Sequence, residues 1–214
     1  TVSQKQLSGL VGFSNTINTA TASAEDLQAV FNTMEDKETG LNTEELTVAN
    51  KLLEELRKSS QGVREDFNKI EVDEKIQSRL TDIFKLFETD VSKLKGEELK
   101  SFVNQMTTAL SDLEGFQRDI NSQIAGEAKN TALNTIAEVQ ASLLKIDGIL
   151  KDTKISPEVK DISLKDIRKQ LEDQLKNLQV TIDTADKSGN QEQIAALTPL
   201  KDLLLQVREI TKST

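Results

Sequence analysis

Apolar residues recur along this chain at intervals of three and four, and the longest such run lies between Gly96 and Thr153. Leu99, Phe102, Met106, Ala109, Leu113, Phe116 and Ile120 follow a 3-4-3-4-3-4 spacing, and after a polar interval the pattern resumes at Ile136, Val139, Leu143, Ile146 and Leu150. With no proline inside it, this spacing predicts a single helix of about 57 residues, about 85 Å long at ~1.5 Å per residue. Globular helices usually run to about 8–20 residues. The strong hydrophobes thin out between Asn121 and Thr135, where asparagine, serine and threonine surround Ile124, Ala128, Ala132 and Leu133. The later seam (Ile136, Leu143, Leu150) lies two residues out of phase with the earlier one (Leu99, Met106, Leu113, Ile120). A slip in phase turns the packed face of a helix. Two arrangements stay open: one spine serving two bundles, or one long bundle with a stutter.

The flanking segments read as shorter helices. Leu10, Ile17, Ala24 and Phe31 recur at intervals of seven, interleaved with Phe13, Ala20, Leu27 and Met34, which predicts a first helix of about 35 residues ending within Glu35–Gly40. Asn42 and Glu45 have the spacing of a capping box, so a second helix should start near Thr43 and bury Leu46, Ala49, Leu53, Leu56, Val63, Phe67 and Ile70. Ser59, Ser60 and Gly62 weaken its centre. Asp73 is placed to cap a third helix bearing Ile76, Leu80, Ile83, Phe84, Phe87 and Val91, and Lys95-Gly96 turns the chain into the long fourth helix. Ser156-Pro157 is a restart signal for the fifth, with Ser163 as a second candidate cap; that helix carries Leu164, Ile167, Leu171, Leu175, Leu178 and Ile182 and stops at Lys187-Ser188-Gly189. The sixth carries Ile194, Leu197, Leu200, Leu204, Val207 and Ile210, with Pro199 expected to kink or restart it at Thr198. No segment alternates as a strand does. The expected fold is all-α: an elongated six-helix antiparallel bundle with both termini at one end, treated as a single domain over 1–214. Its candidate modules are about 43–120 and about 136–214, two stacked four-helix bundles that share the first and fourth helices.

Composition narrows the chemistry. The chain has no histidine and no cysteine, which removes serine and cysteine triads, imidazole acid–base catalysis and thiolate or imidazole metal sites. Carboxylates are plentiful, but they fall on polar helix faces. Two glycine-containing loops, around Gly40 and Gly189, have Leu46 and Ala195 where a calcium loop needs its final glutamate. No phosphate-binding glycine loop is present, so neither enzymatic activity nor any cofactor or metal is expected. The net charge of −9 and the lack of a basic tract argue against nucleic-acid binding. No apolar run approaches the ~18 residues of a membrane span, so a membrane would be reached only through flanking segments. A first residue of Thr1 suggests a removed leader or an excised segment. All seven phenylalanines lie between Phe13 and Phe116, which predicts a bulkier core in the first half of the chain.

This helix order resembles the extracytoplasmic sensor domains of bacterial chemoreceptors and sensor kinases, in particular the helical bimodular subclass of the methyl-accepting chemotaxis proteins. The first helix here is much shorter than the fourth, which departs from that pattern. The resemblance implies a periplasmic or extracellular location and a homodimeric, membrane-anchored parent. It also implies binding of a small solute such as an organic acid, with the signal carried by a small helix displacement. Arginine is the usual carboxylate partner, because its fork donates two parallel hydrogen bonds. Among the six arginines, Arg118 and Arg64 flank predicted core faces most closely, and Asn121 and Ser122, one turn beyond Arg118, are placed to add hydrogen bonds. A rival reading is a secreted or surface helical protein that acts by contact: an adhesin, a secretion-system tip or a helical toxin component.

Overall fold

The computed structural model describes residues 2–34 and 37–212, and among them it contains six α-helices, one 3₁₀ turn and no strand. The helices are α1 (Val2–Asn32), α2 (Thr43–Phe67), α3 (Glu74–Leu86), α4 (Gly96–Lys151), α5 (Pro157–Ser188) and α6 (Gln191–Lys212), with the 3₁₀ turn at Val91–Lys93. The all-α class follows from the three-and-four periodicity, and the caps follow from local chemistry. The Asn42 side chain accepts from the Glu45 N–H (2.8 Å) while Glu45 accepts from the Asn42 N–H (2.9 Å), closing the capping box. Asp73 accepts from the Lys75 N–H, and Ser156 from the Val159 N–H with Pro157 in the first turn.

Four boundaries differ from the sequence pattern. α1 stops at Asn32, ahead of the segment expected to end it, of which Glu35 and Asp36 lie outside the described residues. Thr33 is a weak helix former whose hydroxyl donates to the Val30 carbonyl, closing the last turn. α4 ends at Lys151 rather than Thr153, because Asp152 turns back to accept from the Lys154 N–H and the Lys160 ammonium donates to the Leu150 carbonyl. α5 runs unbroken through Ser163, the Ser156-Pro157 start having already satisfied its first turn. α6 runs unbroken through Pro199 and does not restart at Thr198; the Thr198 hydroxyl instead donates to the Ile194 carbonyl of the turn before.

The chain forms two compact units, Gly12–Ile120, and Thr1–Val11 together with Asn121–Thr214. All seven phenylalanines belong to the first. Its core joins Phe13, Ile17, Leu27 and Phe31 of α1 to Leu53, Leu56 and Val63 of α2, Leu80, Ile83 and Phe84 of α3, and Leu99, Met106 and Leu113 of α4. Phe13 meets Phe67 edge-on (5.9 Å, 62°) and Phe31 meets Phe102 likewise (5.5 Å, 67°). Gly62 lets α1 and α2 approach closely: a side chain there would come within 3.2 Å of the Thr16 methyl. This explains a glycine inside an otherwise good helix.

Across α1 and α4 in this unit, the Glu25 carboxyl stands close to that of Glu114. Partial desolvation and then the Glu114 charge raise the Glu25 carboxyl above its ordinary value. The folded chain therefore holds that proton more tightly than the unfolded one. The resulting stability is present below the ordinary carboxylate range and is lost as pH rises through the raised value. Because the pair is solvent-exposed the effect is small. Glu114→Gln should raise stability at about pH 7 by a few tenths of a kcal/mol and reduce its fall between about pH 4 and pH 7, measured by urea denaturation at both.

The second unit has a leaner core: Leu7, Leu10 and Val11 of α1, Ile124, Val139 and Ile146 of α4, Leu171, Leu175, Leu178 and Ile182 of α5, and Leu197, Leu200, Leu204 and Val207 of α6. Ile136 and Leu143 are only half-buried and Leu150 is exposed, so the later seam centres on Val139 and Ile146 instead. Polar side chains complete the buried stripe of α4. It advances by fours from the half-buried Phe116 through the buried Ile120, Ile124 and Ala128, and again through Thr131, Thr135 and Val139. These extra four-residue steps account for the two-residue phase slip. Thr135 donates to the Thr131 carbonyl (2.7 Å), whereas the buried Thr131 hydroxyl has no partner. Thr131→Val keeps the shape and removes the unpaired group, so it should stabilise the fold by about 1 kcal/mol, read from the urea midpoint.

Candidate functional site

In the Gly12–Ile120 unit, α3 and α4 enclose a solvent-open cleft of about 430 Å³ lined by Arg79, Asp82, Ile83, Lys85, Leu86, Gln105, Thr108 and Ala109. The capping of α3 by Asp73 and the burial of Leu80, Ile83 and Phe84 set the rotation of that helix. Arg79, Asp82 and Leu86 fall along one flank at helical spacing, and on α4 Gln105, Thr108 and Ala109 do the same. Arg79 donates from Nε to the Asp112 carboxylate at 2.5 Å, with the two side chains 40% and 36% exposed. That bond uses Nε and leaves the two terminal nitrogens for other acceptors. Asp82 lines the same cleft, and together with Asp112 it balances Arg79 and Lys85. The site therefore suits a zwitterion or a neutral polar solute better than a dianion. A second groove of about 490 Å³ in the other unit lies along α5 and α6, lined by Glu172, Leu175, Lys176, Gln179, Val180, Asp183 and Arg208.

The residues expected from sequence to bind a ligand lie elsewhere. Arg118 and Arg64, expected to flank core faces, are exposed and line neither opening. The reason is angular. Arg118 stands two residues from Phe116 and from Ile120, which on a helix is about 200° away from each, and Arg64 stands about 100° from the buried Val63. Asn121 is buried, but its amide donates to Glu192 Oε2 at 2.9 Å, tying α4 to the first turn of α6. Ser122 is exposed. Arg118 belongs to one unit and Asn121 and Ser122 to the other. Other arginines line these openings, Arg79 the first and Arg208 the second, and Arg79 carries its signal in spacing: it precedes Ile83 by four residues and Leu86 by seven, the flank of the buried face.

A second polar cluster holds the turn between α5 and α6. Gln193 is fully buried; its amide nitrogen donates to the Val11 carbonyl, and its oxygen lies within hydrogen-bond distance of the Ser188 hydroxyl, whose single hydrogen it shares with the nearer Ala185 carbonyl. These bonds satisfy a helix end and a buried amide, and leave no group aimed at solvent. Among the described residues no helix is long and apolar enough to cross a membrane. Comparison with protein-family models, with curated proteins and with solved structures returns no match.

Proposed function

We propose that this chain is a non-catalytic binding module that works through the outer surfaces of its helices. One observation carries this reading. Of the eight large apolar side chains exposed among the described residues, seven (Leu133, Leu144, Leu150, Val159, Ile162, Val180 and Leu205) belong to the unit built from 121–214, and only Val48 to the other. Single exposed leucines are ordinary, but their concentration in one of two similar units is the mark of a contact surface. Such a surface suits the helical surface or secreted class of protein that acts by contact. If these side chains serve binding, the fold does not need them. Leu133→Gln with Leu144→Gln should leave the urea-unfolding free energy within about 0.5 kcal/mol of the parent. A loss above about 2 kcal/mol would show them to be structural and end this reading.

The α3–α4 cleft favours a second reading, an extracytoplasmic sensor domain for a small solute. Ligand binding to the folded chain raises its melting temperature by mass action. A thermal-shift screen of amino acids, di- and tricarboxylates and aromatic acids should then give a hit that Arg79→Ala abolishes while Arg118→Ala and Arg64→Ala do not. Loss of the hit with Arg118→Ala or Arg64→Ala alone would move the site away from the cleft. A screen without any hit would count against solute sensing.

A further inference from the structure

We infer that the outward face of α4 between Ser122 and Gly148 is a self-association surface, on which a second copy of this chain packs antiparallel about Ala137. This rests on the surface-binding reading and names its partner. On a strip of roughly 80° on the outward side of α4, bounded on one edge by Lys129 and Asp147, every position from Ser122 to Gly148 is exposed and none is charged. In a chain with 29% charged residues, an exposed helix face of that length without one is unexpected. Its two large apolar side chains, Leu133 and Leu144, are 56% and 73% exposed and stand three turns apart on the same side. Small or uncharged polar residues occupy the rest of the strip, among them Asn130, Ala137 and Gln140, and a Cβ added at Gly126 or Gly148 would meet nothing within 4 Å.

Two features select a second copy over any other partner. The first is charge. The chain carries a net −9, so two copies repel except where a surface holds no charge. The strip is such a surface, and its rims are of mixed sign: Lys129 and Asp147 border one edge, Glu127 and Lys145 the other. With Ala137 at the two-fold axis, Lys129 comes beside Asp147 of the second copy, and Glu127 beside its Lys145. The second feature is shape. The same axis sets Leu133 level with Ala141 of the second copy, Leu144 level with Asn130, and Gly126 level with Gly148. The leucines then lie level with an alanine and an asparagine, with Gln140 of the second copy beside Leu133, and two glycines meet at the ends. Parallel pairing would stack leucine on leucine and glycine on glycine, leaving an uneven gap. A strip about 40 Å long and about 10 Å wide buries about 800 Å² in total, below the roughly 1,200 Å² at which stable specific interfaces begin, so the dimer is weak and transient.

The absence of cysteine makes the test direct. Gly126→Cys and Gly148→Cys proteins would be mixed at about 0.5 mM under mild oxidation, and sedimentation equilibrium of the parent run from about 10 μM to about 1 mM. The expected results are a disulfide linking position 126 of one copy to position 148 of the other, and a monomer–dimer equilibrium in the parent. Leu133→Glu with Leu144→Glu should weaken that equilibrium at least tenfold. Links of 126 to 126 and 148 to 148 would overturn the antiparallel pairing. A parent that stays monomeric throughout would overturn self-association, and if the glutamine variant had kept its stability, the binding face would stand with a different partner.

Discussion

Phe31→Ala should destabilise the folded chain by about 3–5 kcal/mol, the largest single-residue effect expected in this protein. Phe31 is fully buried in the last turn of α1 and meets Phe102 of α4 edge-on. Truncation removes a ring from a close-packed site and leaves a cavity that Phe102, itself held by the buried face of α4, can fill only in part. Phe31→Leu keeps most of the volume and should cost markedly less. Urea unfolding followed by helical circular dichroism measures both. A loss below about 1 kcal/mol for the alanine variant would mean that α1 and α4 do not pack as described.

Gly40→Ala should cost roughly 2–4 kcal/mol, from two sources that add. Gly40 has φ +84°, a region that an L side chain enters only with strain, and an added Cβ would stand 2.7 Å from the Leu94 carbonyl oxygen. That oxygen is backbone and cannot rotate aside. The segment is also pinned from the other direction, because the Gly96 N–H donates to the Lys37 carbonyl at 2.9 Å. Relief of the clash would therefore pull on the first turn of α4. Gly189 supplies the control. Its φ is +69°, but nothing lies within 4 Å of an added Cβ, so Gly189→Ala should cost only about 1 kcal/mol. Equal costs at the two positions would remove the steric part of the argument.

The helices were legible in the sequence because burial and periodicity carry the same information when a helix has one wet side and one dry side. Leu10, Ile17, Ala24 and Phe31, with Phe13, Ala20, Leu27 and Met34, are all buried as the seven-residue pattern required. The caps at Asn42, Asp73 and Ser156 were legible because each is set by neighbours within a few residues. What escaped the pattern depends on groups that hydrophobicity does not mark. Thr131 and Thr135 are core residues that read as a polar interval, and Leu133 and Leu144 are surface residues that read as apolar. The exposure of Arg118 has a related reason. Nearness in sequence to a buried residue places Arg118 close along the helix axis but on the opposite side of the cylinder. The spacing of Arg79 to Ile83 and Leu86 marks the flank of a buried face, but that a cleft opens there depends on how α4 lies beside α3, a tertiary fact.

That the unit built from 121–214 keeps large apolar side chains in water is the claim on which the functional reading turns. Hydroxyl-radical footprinting of the dilute protein, at about 1 μM where a weak dimer is dissociated, measures it residue by residue. Leu133, Leu144, Leu150 and Leu205 should be oxidised far faster than the buried Leu178, Leu197 and Leu200. Protection of the first group to the level of the second would show that the fold itself covers this face, and would contradict a surface held open for binding.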